Sequence, residues 1–123
     1  MKDKKSIIIA DDDLDILEPM HDAFSRAGFD VLIANDGVEA LRMLDTAGAS
    51  VDVLLTDVDM PRMNGKDLAR VIRSHHPGIK IVLMSGKTND LIVNLGIPDG
   101  HLLCIRKPFT PASAVKAVLD EMR

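Results

Sequence analysis

The chain reads as an α/β domain, a parallel β-sheet covered by helices on both faces. Short apolar runs, rich in β-branched residues, alternate five times with segments whose apolar residues recur at helical spacing. The runs are mostly continuous rather than alternating, as strands buried on both faces must be. Four of them end abruptly in a carboxylate, a hydroxyl or a lysine followed by a turn. Strand and helix in strict alternation imply right-handed crossovers and hence a three-layer arrangement.

The elements follow in order. Ile7, Ile8 and Ile9 mark a first strand over residues 6–10. Asp13 can cap a helix over 13–27, with Leu14, Leu17, Ala23, Phe24 and Ala27 as its apolar stripe and Gly28 as its stop. Pro19 lies inside that helix and removes a backbone hydrogen bond, so a kink or a late start is expected. Residues 29–34 form a second strand, and Asn35, Asp36 and Gly37 open a helix carrying Val38, Leu41, Leu44 and Ala47. Residues 51–56 form the third strand. A helix over 64–74 then turns Leu68, Val71 and Ile72 inward and stops at His76, Pro77 and Gly78.

The fourth strand covers residues 80–84, followed by a short, weakly helical segment over 88–95. Gly96, Pro98 and Gly100 then predict a loop. Residues 86–101 offer few apolar anchors, which makes them the stretch expected to reorder most readily. Residues 102–105 form the fifth strand. Thr110 and Pro111 start a last helix, by a capping hydroxyl and a proline in the first turn, with Val115, Val118 and Leu119 facing in.

Composition narrows the function. A length of 123 residues predicts one domain, 1–123, and 46% hydrophobic residues supply a core. The net charge is −4, with no clustered Lys/Arg surface interleaved with aromatics, so direct binding of nucleic acid is not expected. The single cysteine, Cys104, cannot form an internal disulfide and suits a reducing cytoplasm. No stretch approaches the roughly 20 apolar residues of a membrane span, and none resembles a signal peptide. A cytoplasmic protein without membrane insertion is the expectation.

Asp11 and Asp12, Asp57, Ser85 and Lys107 fall at the carboxyl ends of the first, third, fourth and fifth strands. Each has an ordinary reading alone, as helix cap, turn former or strand exit. A parallel sheet brings all of them to one edge, where open α/β sheets bind ligands. Crowded carboxylates repel, and all-oxygen ligands select a hard cation such as Mg²⁺. In such a site Asp57 is the nucleophile that forms an acyl phosphate. Lys107 and the cation neutralise the transferred oxygens, and Ser85 donates a hydrogen bond to one of them.

The stretches 8–12, 55–61, 84–86 and 107–109 together resemble the signature set of response-regulator receiver domains of two-component signalling. The resemblance covers nearly the whole chain in the family's order. It implies a flavodoxin-like (βα)5 fold with a five-stranded sheet in the order 2-1-3-4-5. It also implies Asp57 as phosphoacceptor, Asp11 and Asp12 as the metal-binding pair, Ser85 as switch hydroxyl and Lys107 as the phosphate-contacting lysine. A Mg²⁺ contact from the backbone carbonyl of Asp59 and a cis peptide between Lys107 and Pro108 belong to the same implication. The implied partners are a histidine kinase or a histidine phosphotransfer protein, with an unidentified downstream protein. Catalysis is then limited to Mg²⁺-dependent self-phosphorylation and self-dephosphorylation.

Three features depart from the family pattern. Cys104 stands three residues before the lysine, where the family usually has an aromatic ring. The fourth helix is shortened, as in receivers attached to hybrid kinases. Asp59 adds a carboxylate that would either sharpen metal binding or hinder the water that hydrolyses the phosphate. Two rival readings remain: a haloacid-dehalogenase-type aspartyl phosphatase and a receiver-like binding module independent of phosphorylation. The first normally carries its acidic motif near the amino terminus, followed by a larger domain, and the full set of site residues opposes the second. With no effector region after the last helix, the chain reads as a stand-alone protein or one domain of a longer one. His21, His75, His76 and His101 lack ligand-like spacing and read as surface residues. Met43, Met60, Met63 and Met84 read as packing residues.

Overall fold

The computed structural model describes residues 4–47, 50–87, 92–97 and 100–122. Its strands are β1 (Ser6–Ala10), β2 (Asp30–Ala34), β3 (Val53–Asp57), β4 (Lys80–Ser85), β5 (Ile92–Asn94) and β6 (His101–Arg106). Its helices are α1 (Leu14–Arg26), α2 (Gly37–Ala47), α3 (Gly65–His75) and α4 (Pro111–Glu121). The strands form one sheet in the order β2-β1-β3-β4-β6-β5, parallel throughout except for the antiparallel pair β5–β6. The expected 2-1-3-4-5 order is therefore present, with β6 as its fifth member.

The period of two in each strand sorts the core into two layers. Ile8, Leu54 and Leu83 pack with Leu44, Leu68 and Ile72, beneath α2 and α3. Ile7, Ile9, Leu55 and Val82 pack with Leu17, Met20, Phe24 and Val118, beneath α1 and α4. All five residues of β3 are buried, as a central strand requires. Cys104 is also buried, among the first of these layers.

The helix signals operate locally. The Asp13 carboxylate accepts from the Asp15 N–H at 2.9 Å, and Gly28, at φ +96°, follows the helix end. α1 runs through Pro19 and starts on time, so the late start is excluded. Proline at its sixth position removes only one helical hydrogen bond. Thr110 and Ser113 form a reciprocal capping box on α4. Three expected core positions are wrong: Leu14 is 56% exposed, Leu119 43%, and Ala27 is exposed as well, while Met20 and Ala114 are buried instead. Each lies at the border of its apolar stripe, where spacing alone leaves the inward side open. His21, His75 and His101 are exposed, whereas His76 is half-buried, with Nε2 3.2 Å from Asp45 Oδ1.

The fourth helix needs correcting. Of the segment expected to be helical, residues 88–91 lie outside the described residues, and 92–94 form the edge strand β5. Ile92 pairs with Leu103 and Val93 with Leu102, so adjacent β-branched side chains fall on opposite faces of the sheet. Gly96, at φ +76°, turns the chain, and the Leu95 N–H donates to the Gly100 carbonyl at 2.8 Å. Val93 and Leu95 are buried in the core, contrary to the reading of this stretch as poorly anchored. Arg70 on α3 ties it further, donating from Nε to the Leu95 carbonyl at 3.1 Å.

Candidate functional site

Strand register assembles the site. Ala10 stands beside Thr56, Asp57 beside Met84, and Ser85 beside Arg106, so each strand's next residue emerges at the same edge. Lys107 Nζ lies 2.8 Å from Asp11 Oδ2 and 3.3 Å from Asp57 Oδ1. The other Asp11 oxygen accepts from the Asp13 N–H at 2.9 Å, which fixes the carboxylate at the start of α1. Carboxylate oxygens of Asp11, Asp12 and Asp57 lie within 4.8 Å of one another. Asp11 and Asp57 are buried and Asp12 is exposed, so the cluster opens to solvent on one side.

Ser85 is buried at the end of β4, and its Oγ accepts from the Lys87 N–H at 3.1 Å. The Asp59 carboxylate points elsewhere: it is 3.7 Å from Lys87 Nζ and is not part of the three-carboxylate group. The peptide between Lys107 and Pro108 is cis. Four sequence-designated residues, Asp11, Asp12, Asp57 and Lys107, thus meet directly, and Ser85 borders them from the neighbouring strand.

The electrostatics follow from burial and crowding. Burial, followed by the charge of Asp11, pushes the Asp57 carboxyl up to about 6 against the opposing effect of Lys107. Burial alone would lower the Lys107 pKa, but the hydrogen bond and charge of Asp11, with those of Asp57, raise it overall. Three carboxylates therefore share one ammonium, and the pocket has an excess of negative charge. That donor set fits a hard divalent cation.

Two glycines set the loop that follows Asp57. A Cβ on Gly65 would stand 2.2 Å from the Asp57 carbonyl oxygen, and one on Gly37 would stand 2.4 Å from that of Met63. Gly65→Ala should therefore destabilise the fold by about 2–3 kcal/mol, as overpacking against backbone does. Urea unfolding measures this, and an unchanged midpoint would contradict it.

Residues 7–119 match the response regulator receiver domain family. The chain belongs to that family. It is 33% identical over 120 residues to the DNA-binding response regulator MtrA of Mycolicibacterium paratuberculosis, covering 98% of this chain and 52% of MtrA. It is 35% identical over 102 residues to the sensor kinase CckA of Brucella abortus, covering 80% of this chain and 11% of the kinase. This receiver thus spans about half the length of MtrA. Among solved structures, a response regulator receiver protein from Sinorhizobium medicae superposes with a TM-score of 0.81 at 31% identity, covering 98% of this chain and 95% of that one. The CheX–CheY–BeF3–Mg complex of Borrelia burgdorferi shares the fold, with a TM-score of 0.84 at 22% identity and coverage of 94% and 87%.

A receiver is the phosphoacceptor module of two-component signalling, and the haloacid-dehalogenase alternative is set aside by this membership. No helix among the described residues is long and apolar enough to cross a membrane. Sequence reasoning missed Arg62, which ion-pairs with Asp36, and the two crowded glycines. Asp36-Gly37 and Gly65 were visible as turn and helix-start residues, but nothing local signalled what they would face.

Proposed function

We propose that Asp57 accepts a phosphoryl group from a phosphohistidine, and that the change of charge at this edge alters affinity for a protein partner. The observation carrying this reading is the Asp57 carboxylate, buried beside Lys107 at 3.3 Å within a group of three carboxylates. An Asp57 oxygen attacks phosphorus in line as the phosphorus–nitrogen bond breaks, giving an acyl phosphate and a free imidazole. Lys107 stays within reach of the oxygens that gain charge, held there by Asp11. Ser85 presents its hydroxyl from the adjacent strand as a donor to the product.

Asp11, Asp12 and Asp57, with the Asp59 backbone carbonyl, would hold Mg²⁺, which when bound neutralises charge on the transferred oxygens. Residues 1–123 act as a single receiver domain in the cytoplasm, without direct contact to nucleic acid. The donor is a histidine kinase or a histidine phosphotransfer protein, and the chain's own catalysis is confined to gaining and losing its phosphate. Incubation with acetyl phosphate and Mg²⁺, followed by peptide mapping, should place a single phosphoryl group on Asp57. Labelling at another residue would overturn the assignment, and turnover of a generic phosphomonoester would make the protein an enzyme.

The exposed member of the acid group gives a separate expectation for the metal. Asp12→Ala removes a negative ligand without disturbing the buried Asp11–Lys107 pair. Calorimetric titration should show Mg²⁺ binding weakened by about tenfold or more, the scale of losing a charged ligand or its support. Equal affinity in the variant and the parent would remove Asp12 from the metal site.

A further inference from the structure

Position 62 combines an unfavourable backbone with a specific side-chain contact. Arg62 has φ +67°, in the left-handed region that non-glycine residues enter only at a free-energy cost. The Met63 N–H donates to the Pro61 carbonyl at 2.8 Å, closing a tight turn around it. Glycine would take this conformation without that cost, so the side chain is what arginine contributes here. Its Nε donates to Oδ2 of Asp36 at 2.8 Å, and Nη2 lies 2.7 Å from the same oxygen. The other Asp36 oxygen accepts from the Glu39 N–H at 2.8 Å and caps α2. Asp36 is buried apart from 8% of its surface while the Arg62 side chain is 55% exposed, so only the carboxylate half of the pair is shielded from solvent.

The loop so held is the one that leaves Asp57. The Gly65 N–H donates to the Val58 carbonyl at 2.8 Å, closing its base. The Asn64 side chain accepts from the Asp67 N–H at 2.9 Å, fixing its exit into α3. The contact of Gly37 with Met63 presses its far side against α2. Asp59 lies between these ties in the chain. We propose that the Arg62–Asp36 pair is a positioning device, anchoring the loop to the start of α2 so that the Asp59 carbonyl faces the acid cluster for Mg²⁺. This inference rests on the Mg²⁺ reading of the site given above.

Two variants separate positioning from mere stability. Arg62→Gly relieves the left-handed backbone while deleting the anchor, and Asp36→Asn keeps a capping oxygen while removing the charge. Both should bind Mg²⁺ about tenfold more weakly by calorimetry, the range found for residues that orient metal ligands. Arg62→Lys should recover part of the affinity by restoring the charge. In the metal-free protein, hydrogen exchange should quicken at residues 58–65 in both variants and stay unchanged in β1 and β4. Folded variants with parental Mg²⁺ affinity would overturn the inference while leaving the metal reading intact. A loss in Arg62→Gly without one in Asp36→Asn would overturn it as well. A parent chain that binds no Mg²⁺ would overturn both.

Discussion

Asp57→Asn should abolish phosphorylation by acetyl phosphate and also stabilise the metal-free protein at neutral pH. The first effect is chemical: an amide oxygen is too weak a nucleophile to form the acyl phosphate. Intact-mass measurement after incubation with acetyl phosphate and Mg²⁺ checks it, and equal uptake by the variant would exclude Asp57 as acceptor. The second effect follows from the raised pKa, caused first by burial and then by Asp11. With its pKa near 6, the folded state keeps a proton on Asp57 that the unfolded state releases from about pH 4. The group therefore costs the parent stability progressively as pH rises through that window, and the cost stays level above it. Replacing the carboxylate by an isosteric amide removes this cost, by about 1–3 kcal/mol once the lost attraction to Lys107 is set against it. Urea unfolding at pH 4 and pH 7 reads the difference: the gain should be small at the lower pH and full at the higher. A gain that shrinks as pH rises would contradict the electrostatic account.

Lys107→Met should act in the opposite direction. It deletes the ammonium paired with Asp11 and Asp57 and leaves two buried carboxylates facing each other. Breaking a buried pair by removing one partner costs more than a surface pair, and the lysine's partial exposure moderates this to about 2–3 kcal/mol at pH 7. The raised Lys107 pKa gives the sign at the alkaline end. Its stabilising contribution is fully present below the ordinary lysine range and is lost as pH passes the raised value. At the acid end the loss in the variant should fade as Asp57 takes up its proton. Mg²⁺ should restore part of the variant's stability, since another cation then offsets the same charges. Unfolding midpoints of parent and variant, with and without Mg²⁺, measure both effects. Coincident midpoints at pH 7 without metal would show that Lys107 does not balance the cluster.

Local chemistry was enough for most of the fold. Ile7, Ile8 and Ile9 read as a strand buried on both faces, and the register confirms alternate residues in the two core layers. Asp13, Thr110 and Gly28 read as caps and a stop because a cap acts within a few residues of itself. The site was legible for the same reason: in a parallel sheet every strand end falls at one edge, so Asp11, Asp57, Ser85 and Lys107 could be gathered before any distance was known.

What lay beyond the sequence depends on contacts between distant segments. The segment over 88–95 read as weakly helical, and the free edge of β6 decided for strand at Ile92–Asn94 by offering hydrogen-bond partners that an isolated segment lacks. Leu14 and Leu119 sit at stripe borders, where only the packed neighbours settle which side is buried. Arg62 carried no local signal, and only the fold brought Asp36, 26 positions earlier, within 2.7 Å. The raised pKa of Asp57 likewise arises from burial and from Asp11, just beyond the end of β1. Apart from the segment after the fourth strand, the sequence by itself determined the order of strands and helices, the caps and the residues at the reactive edge, because those follow from periodicity and short-range hydrogen bonding. Only the tertiary structure decided the edge strand, the loop's anchor and the charge balance of the pocket, because each is a free energy between groups far apart in the chain.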